Sequence, residues 1–303
     1  VQKTLLVITG PTGVGKTALS LDIAAHYGTP ILNADSRQLY RDLPIGTAAP
    51  TAEEQRRVPH EFVGILALDD YYSAAQYEAA ALARLETHFR QRDVVVMAGG
   101  SMLYIDAVCR GIDDIPTIDD ATRQRLRQRL ADEGLDALAA ELQQLDPAYY
   151  ARCDLHNPKR VVHALEVCHM TGRTYTSFRS GQAKPRPFRV VKIGLRRERD
   201  DLFARIARRT DEMLAEGWLE EASRVEPWRQ CNALNTVGYK ELFAYFDGAW
   251  SLPQAVEKIK RNTRVYAKKQ MTWLAKDPAV QWFHPDDGAA LWRYLHEEVE
   301  GEK

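Results

Sequence analysis

Apolar residues recur along this chain with two spacings, and each spacing marks a different kind of element. Continuous apolar runs at 4–9 (TLLVIT), 30–34 and Val94-Val95-Val96-Met97-Ala98 predict strands buried on both faces, as in a parallel sheet between helices. Between the first two runs, Leu19, Leu21, Ile23 and Ala24 supply the apolar positions of a helix over 16–26. From Asp113 to about Pro187 the pattern is helical throughout, with DDATRQRLRQRLADEG, LDALAAELQQLD and NPKRVVHALEVCHMTG carrying Leu, Val or Ala at helical spacing. Pro185-Arg186-Pro187 ends it, and Val190-Val191-Lys192-Ile193-Gly194-Leu195 reads as another strand. The helical stretch is therefore expected as an insertion between two strands of one sheet. Everything after Leu195 is expected to be helical, over 200–222 and 252–275, with a capped helix after Asp286 and with Trp282, Trp292 and Leu295 closing the core.

The turn after the first strand holds the most specific pattern. Gly10-Pro11-Thr12-Gly13-Val14-Gly15-Lys16-Thr17 fits GxxxxGK[ST], placed after a strand and before a helix. Glycines let successive backbone N–H groups face one concavity, the helix N-terminus adds positive potential, Lys16 adds an ammonium, and the Thr17 hydroxyl is placed for Mg²⁺. Such a loop suits a diphosphate, whether carried by adenine, guanine or no base at all. The expected fold class is α/β, a P-loop NTPase-like three-layer core with a parallel sheet (1–112 and 188–303) plus an inserted all-α domain at 113–187. An ATPase of this class places an Asp at the end of a second strand to help hold Mg²⁺. Here that strand ends Ala98-Gly99-Gly100-Ser101. The nearest acid at a strand end is Asp35, either an N-cap for a following helix or a general base facing the diphosphate.

Charge changes the picture only locally. The 303 residues carry 41 Lys plus Arg against 42 Asp plus Glu, a net charge of -1 that by its sum argues against nucleic acid. Yet KIKRNTRVYAKKQMTWLAK, 258–276, has seven basic residues and no acid, and 184–199 has another seven against Glu198 alone, followed by Arg205, Arg208 and Arg209. Helical register puts Arg261, Arg264 and Lys268 on one face of the first stretch and Ile259, Tyr266 and Trp273 on an apolar stripe. Two such stretches beside a phosphate site suggest a polyanion groove. The histidines, His60, His88, His284 and His296 among them, show no metal-ligand spacing. Cys109, Cys153, Cys168 and Cys231 form no CxxC and read as buried reduced thiols. No apolar run approaches the roughly 20 residues of a membrane span, and the opening run is too short for a secretory signal, so a soluble cytoplasmic protein is expected.

Taken in order, GPTGVGKT, ADSRQLYRDLPIGTAAP, AGGSMLY, NPKRVVHALEV, NTVGYKEL and TRVYAKKQMTWL resemble the tRNA dimethylallyltransferase (tRNA isopentenyltransferase) family, with matches spanning residues 4 to 276. The resemblance implies transfer of a dimethylallyl group from dimethylallyl diphosphate to N6 of adenosine 37, in tRNAs reading codons that begin with U, with Mg²⁺ as cofactor. The P-loop, Gly10 through Thr17, would then hold a prenyl diphosphate, and Thr17 the metal. Asp35 matches the family's base, Arg209 its pyrophosphate-contacting arginine, and Ser101 and Thr12 polar residues around the substrates. Carried over likewise, the contacts to the tRNA anticodon stem-loop are Asp35, Ser36, Arg37, Gln38, Ser101, Arg123, Lys159, Arg160, Val161, Val162, His163, Asn235, Thr236, Val237, Gly238, Tyr239 and Lys240. The inserted domain would clamp the stem-loop, and the protein would act as a monomer. The sequence departs from the family at His163, usually Arg, at Cys153-Asp154, usually Ile-His, at Ala49, where Lys is common, and at Ser101, usually Thr. The zinc finger of some eukaryotic members has no counterpart here, which suits a bacterial-type enzyme. The first hundred residues alone would equally fit a small-molecule or nucleoside kinase, and the basic stretches an RNA-binding regulator with a vestigial P-loop.

Overall fold

A computed structural model describes residues 2–301. Its sheet has six parallel strands, β1 (Thr4–Thr9), β2 (Ile31–Asn33), β3 (His60–Glu61), β4 (Val94–Gly99), β5 (Arg189–Leu195) and β6 (Val280–Phe283), in the order β3-β2-β4-β1-β5-β6. The interiors of β1 and β4 are continuously apolar because the pleat sends alternate residues into two different layers. Leu5, Val7, Val95 and Met97 join Tyr77, Ala81 and Leu85 of α3 (Ala74–Phe89) and Ile105 and Val108 of α4 (Met102–Arg110) in one core. Leu6, Ile8, Val96 and Ala98 join Leu21, Ile23 and Ala24 of α1 (Lys16–His26) in the other. These side chains are almost wholly buried, the Leu, Ile, Val and Met among them each contributing roughly 2 kcal/mol through burial. A short helix, α2 (Ala52–Arg57), opens on a Thr51–Glu54 capping box between β2 and β3.

The chain forms two compact units: one runs to Arg110 and resumes at Arg186, and the other is Gly111–Pro185. The second unit is helical, with α5 (Asp120–Glu133), α6 (Leu135–Leu145), α7 (Pro147–Tyr150), α8 (Pro158–Thr171) and α9 (Tyr175–Phe178) around Leu126, Leu138, Leu142, Val161, Leu165 and Tyr149. Within the first unit, the two ends of the chain on either side of this insertion are joined at one buried side chain. Arg186 donates to the carbonyls of Ala107 and Val108, at 2.7 and 2.8 Å, and to Glu78 at 2.6 Å. These bonds take the open carbonyl end of α4 and both sides of a buried ion pair, which satisfies groups that would otherwise be costly to bury.

After β5 come α10 (Arg199–Ala215), α11 (Trp218–Val225), α12 (Tyr239–Phe246), α13 (Leu252–Leu274) and α14 (Gly288–Leu295). Two expectations are corrected here. The helix expected over 200–222 is two helices, because Gly217 takes a left-handed φ of +102° that ends one and caps the next. The segment after Leu195 is also not wholly helical, since β6 adds a strand whose Gln281 pairs with Ile193. The tail helix α14 begins at an Asp287 cap; Leu295 is buried, whereas Trp282 and Trp292 are half-buried at the margin. Of the free cysteines, Cys109 and Cys168 are buried, but Cys153 and Cys231 are only partly so.

The topology fixes where a ligand can sit. After β1 the chain crosses towards β2, while after β4 it returns past β1 to β5. Connections that diverge above neighbouring strands leave a crevice at their carboxyl ends. The Gly-rich loop after β1 and the Gly99-Gly100-Ser101 turn after β4 both open onto that crevice.

Candidate active site

The P-loop leaves β1 at Gly10 and becomes α1 through Gly15, whose φ of +109° only glycine adopts without strain. Lys16 is folded onto the loop itself, donating to the carbonyls of Gly10 and Pro11 at 3.0 and 2.9 Å. Burial, and after it the Arg209 guanidinium, push this ammonium down to about 8, against the opposing pull of Asp35. Arginines of or near α10 surround the loop. Arg205 donates to Gly13 O and Arg197 to Val14 O, both at 3.0 Å, and Arg209 donates to the Thr12 hydroxyl at 3.3 Å. Arg209 is itself lowered by burial, with Asp35 acting against that shift first. An arginine so placed meets a diphosphate with its charge already desolvated.

Asp35 stands just past β2 on the same edge. The strand continues as Ala34 N–H to Ala98 O, 2.8 Å, and then turns out of the sheet. No helix follows directly, so Asp35 is not a helix cap. Its Oδ1 instead accepts the Arg37 N–H at 2.9 Å in a local turn, with no hydrogen bond to Oδ2 among the described residues. Arg37 reaches the carbonyls of Asn232, Ala233 and Asn235 at 2.6, 3.3 and 3.5 Å and so ties this turn to the segment before α12. Gln38 donates to Thr47 O and Ala48 O, both at 3.0 Å, holding the Ile45–Ala49 loop against it.

Two cavities meet at this point. One, of 720 Å³, is lined by Gly13, Gly15, Lys16, Thr17, Gln38, Arg205 and Gln270. The other, of 530 Å³, is lined by Ser36, Arg37, Asn235, Thr236, Val237, Lys240, Asn262 and Lys269. Thr12, Asp35, Thr47, Arg209, Met213 and Tyr266 line both. A carboxylate with one oxygen that accepts no hydrogen bond among the described residues and a desolvated guanidinium thus occupy the junction of a phosphate-type cavity and a second one of mixed polar and apolar lining. That is an arrangement for moving a group from one ligand to another. The Tyr266 ring stands at the junction too, 40% exposed, its phenol pushed up to about 12 by burial, with Asp35 adding to the shift and Arg37 opposing it.

Not all the residues singled out in the sequence reach these walls. Within the P-loop, Thr12, Gly13, Gly15, Lys16 and Thr17 do, whereas Gly10, Pro11 and Val14 are buried beneath it. Ser101 lines neither cavity; its hydroxyl accepts the Ser36 N–H at 2.8 Å and donates to Ser36 Oγ at 3.2 Å. Gly238 is buried against Trp218, and Tyr239, wholly buried, donates its hydroxyl to Glu221 at 2.6 Å. Neither can offer a side chain to a ligand. In the second unit, Lys159 and Arg160 are exposed on α8 and Arg123 half-buried on α5, while Val162 and His163 are half-buried, His163 pairing with Glu166 at 3.3 Å. Val161 is a core residue of that unit and is corrected from the contact set.

The charge reading is corrected as well. Among the residues from 184 to 199, Arg186, Arg189, Lys192 and Arg197 are paired with Glu78, Glu298, Asp277 and Asp286, and Lys184 with Asp114. Five of the seven basic residues thus brace the fold, while Arg196 and Arg199 are exposed. On α13 the buried face is Ala255, Ile259, Ala267, Gln270 and Leu274. The expected stripe of Ile259, Tyr266 and Trp273 is therefore not a core stripe; Trp273 is 47% exposed, its indole N–H bonded to Asp106 at 2.9 Å. Arg264 and Lys268 lie over the Phe203 ring, each 5.7 Å from its centre.

Four contributors were missed in the sequence. Arg197 and Arg205 hold the outer carbonyls of the P-loop. Gln270, quoted within a motif but given no role, contacts the loop from α13. Glu221 is wholly buried and accepts the N–H groups of Ile45 and Gly46 at 2.8 Å each, in addition to the Tyr239 hydroxyl. Among the described residues there is no cluster of three or more His, Cys, Asp or Glu able to cage a metal, and no helix long and apolar enough to cross a membrane.

Comparison with known proteins bears directly on this geometry. A family model described as IPP transferase matches residues 38–277. tRNA dimethylallyltransferase 1 of Phocaeicola vulgatus is 60% identical over 293 residues, covering 97% of this chain and 98% of its own. tRNA dimethylallyltransferase 1 of Bacteroides thetaiotaomicron is 58% identical over 292 residues, covering 96% of this chain and 95% of its own. Among solved structures, the full-length tRNA isopentenylpyrophosphate transferase from Bacillus halodurans superimposes with a TM-score of 0.71 at 35% identity, covering 99% of this chain and 96% of its own.

Proposed function

The chain belongs to the IPP transferase family, and on that premise we propose that it transfers a dimethylallyl group from dimethylallyl diphosphate to N6 of adenosine 37 in tRNAs reading codons that begin with U. The observation that carries the reading is the meeting of the two cavities at Asp35 and Arg209. The donor diphosphate lies against the P-loop, with its allylic carbon directed to the junction. The acceptor base, turned out of the anticodon loop, enters from the side lined by Asn235, Thr236, Val237 and Lys240.

In the reaction the allylic C1–O bond breaks, its electron pair leaves with diphosphate, and a C1–N6 bond forms as N6 loses a proton. Lys16, Arg209 and the P-loop N–H groups stabilise the charge that develops on the leaving group. Lys16 then exchanges its bonds to Gly10 and Pro11 for phosphate oxygens. Asp35, which lines both cavities and whose Oδ2 accepts no hydrogen bond among the described residues, takes the proton from N6. Burial of Arg209 and Lys16 strengthens both effects, since charges act further where water is excluded.

Mg²⁺ fits this donor set in one way only. The Thr17 hydroxyl opens onto the P-loop cavity, and no carboxylate cage stands near it. That suits a hard cation that keeps several waters and takes its remaining ligands from substrate phosphates. When bound, it neutralises charge on the diphosphate. Arg123, Lys159 and Arg160 of the second unit serve as contacts to the anticodon stem-loop, and the protein acts as a monomer in the cytoplasm.

The test is incubation with labelled dimethylallyl diphosphate, Mg²⁺ and an unmodified anticodon stem-loop carrying adenosines at 36 to 38, followed by nucleoside mass analysis. The expected result is a dimethylallyl adduct on adenosine 37 with no consumption of ATP. ATP turnover with a small acceptor and no adduct would overturn the proposal in favour of a kinase.

A further inference from the structure

α13 turns one polar side chain into the core. Gln270 is 2% exposed, on the face that also buries Ala267 and Leu274. A carboxamide in that position is tolerated only if both of its ends are bonded. Its Oε1 accepts the Thr12 N–H at 2.9 Å, and its Nε2 donates to the Gly100 carbonyl at 2.9 Å. One amide group therefore joins the P-loop after β1, the glycine turn after β4 and the basic helix α13.

The fit is tight. A Cβ built on Gly100 would stand 2.6 Å from Gln270 Nε2 and 3.8 Å from Lys16 Nζ, so the turn has room for this amide only while residue 100 has no side chain. The Thr12 whose peptide Gln270 holds is also the residue whose hydroxyl accepts from Arg209 at 3.3 Å. The amide thus stands behind the cationic residues at the junction of the two cavities.

We infer that Gln270 is a positioning residue of the diphosphate subsite, orienting Thr12 and through it Arg209, and so linking α13 to the donor cavity. This rests on the reading of the P-loop cavity as the donor site. A side chain that merely fills the core would, when replaced, lower stability and weaken both substrates alike. A positioning role instead predicts a defect confined to the donor. In Gln270→Glu, a carboxylate oxygen faces the Gly100 carbonyl without a proton to donate and sets a negative charge near Lys16 and the diphosphate. In Gln270→Met, the shape is kept while both hydrogen bonds are lost. Gly100→Ala leaves Gln270 in place and pushes its amide away.

The experiment compares the full-length protein with these three variants. Titration calorimetry measures affinity for inorganic diphosphate, steady-state assays give KM for dimethylallyl diphosphate and for the stem-loop, and melting curves report folding. The expected result is a loss of diphosphate affinity and a rise in donor KM of about tenfold or more, with stem-loop KM within about twofold. Gly100→Ala, whose substitution lies outside the buried face of α13, guards against misfolding of the Gln270 variants and should show the same defect. Because Gly100 also lines the donor cavity, it is combined with Gln270→Met, where the two defects should not add if both act through the amide and should add in full if the methyl acts on the ligand directly. Unchanged diphosphate affinity in folded variants, or equal losses for both substrates, would overturn the inference. If the unsubstituted protein binds no diphosphate, the donor-site reading falls first and this inference with it, a result visible before any variant is made.

Discussion

Binding of the prenyl diphosphate should draw a proton from solution near pH 8, because Lys16 in the free protein is held down to about 8 by burial and by Arg209. Bringing an anion against it favours the charged form. On that basis about half of the molecules gain a proton on binding at pH 8, about a tenth at pH 7 and about nine in ten at pH 9. Donor affinity then falls about twofold at pH 8 and about tenfold at pH 9 relative to the fully charged site. Without ligand the sign is opposite. The folded value lies below the unfolded 10.5, so from about pH 8 to 10 the unfolded chain binds more protons and this group adds stability as pH rises. Calorimetric titration with dimethylallyl diphosphate in two buffers of different ionisation enthalpy measures the uptake, and Lys16→Arg, which stays charged, leaves only the ligand's own protons, to be subtracted. Affinity independent of pH between 7 and 9, or the same pH dependence in Lys16→Arg, would refute the placement of Lys16 as a desolvated ammonium in the donor cavity.

Three further outcomes are expected. Asp35→Asn should lower the single-turnover rate by about 10²- to 10⁴-fold while changing stem-loop affinity far less, and an unchanged rate would remove Asp35 from proton transfer. Arg264→Ala and Lys268→Ala, stripped from the exposed side of α13 over Phe203, should each weaken tRNA binding and make the salt dependence shallower. If filter binding across a salt series shows no change, that face is merely solvated. Glu221→Ala orphans the N–H groups of Ile45 and Gly46 and the Tyr239 hydroxyl, so urea unfolding should show a loss of roughly 2–4 kcal/mol. A loss well under 1 kcal/mol would mean that the Ile45–Ala49 loop is held by other contacts.

What could be read directly in the sequence was what is contiguous in it. The P-loop carries its chemistry within eight residues, Gly10 to Thr17, and Asp35 ends a strand whose edge is predictable from β1 and β2 alone. Features that depend on pairing across the fold were hidden. Gln270 meets Thr12 from 258 residues away, and a lone Gln among basic residues gives no signal of that bond. Composition counted the charges from 184 to 199 but not their partners. Lys192, counted only as one of those charges, is held by Asp277 at 2.6 Å from 85 residues away, both side chains being largely buried. β6 is four residues long, too short for a period to stand out beside the helices that flank it.

Arg186 closes the sheet-bearing unit where the chain leaves α4 and later returns to it. Because that staple belongs wholly to the sheet-bearing unit, its two ends stay fastened whatever is spliced between them. The site is then a ready graft point: the helical module can lengthen, shrink or be exchanged in evolution without unpicking β5 from β1, because any replacement need only bridge a gap already drawn shut.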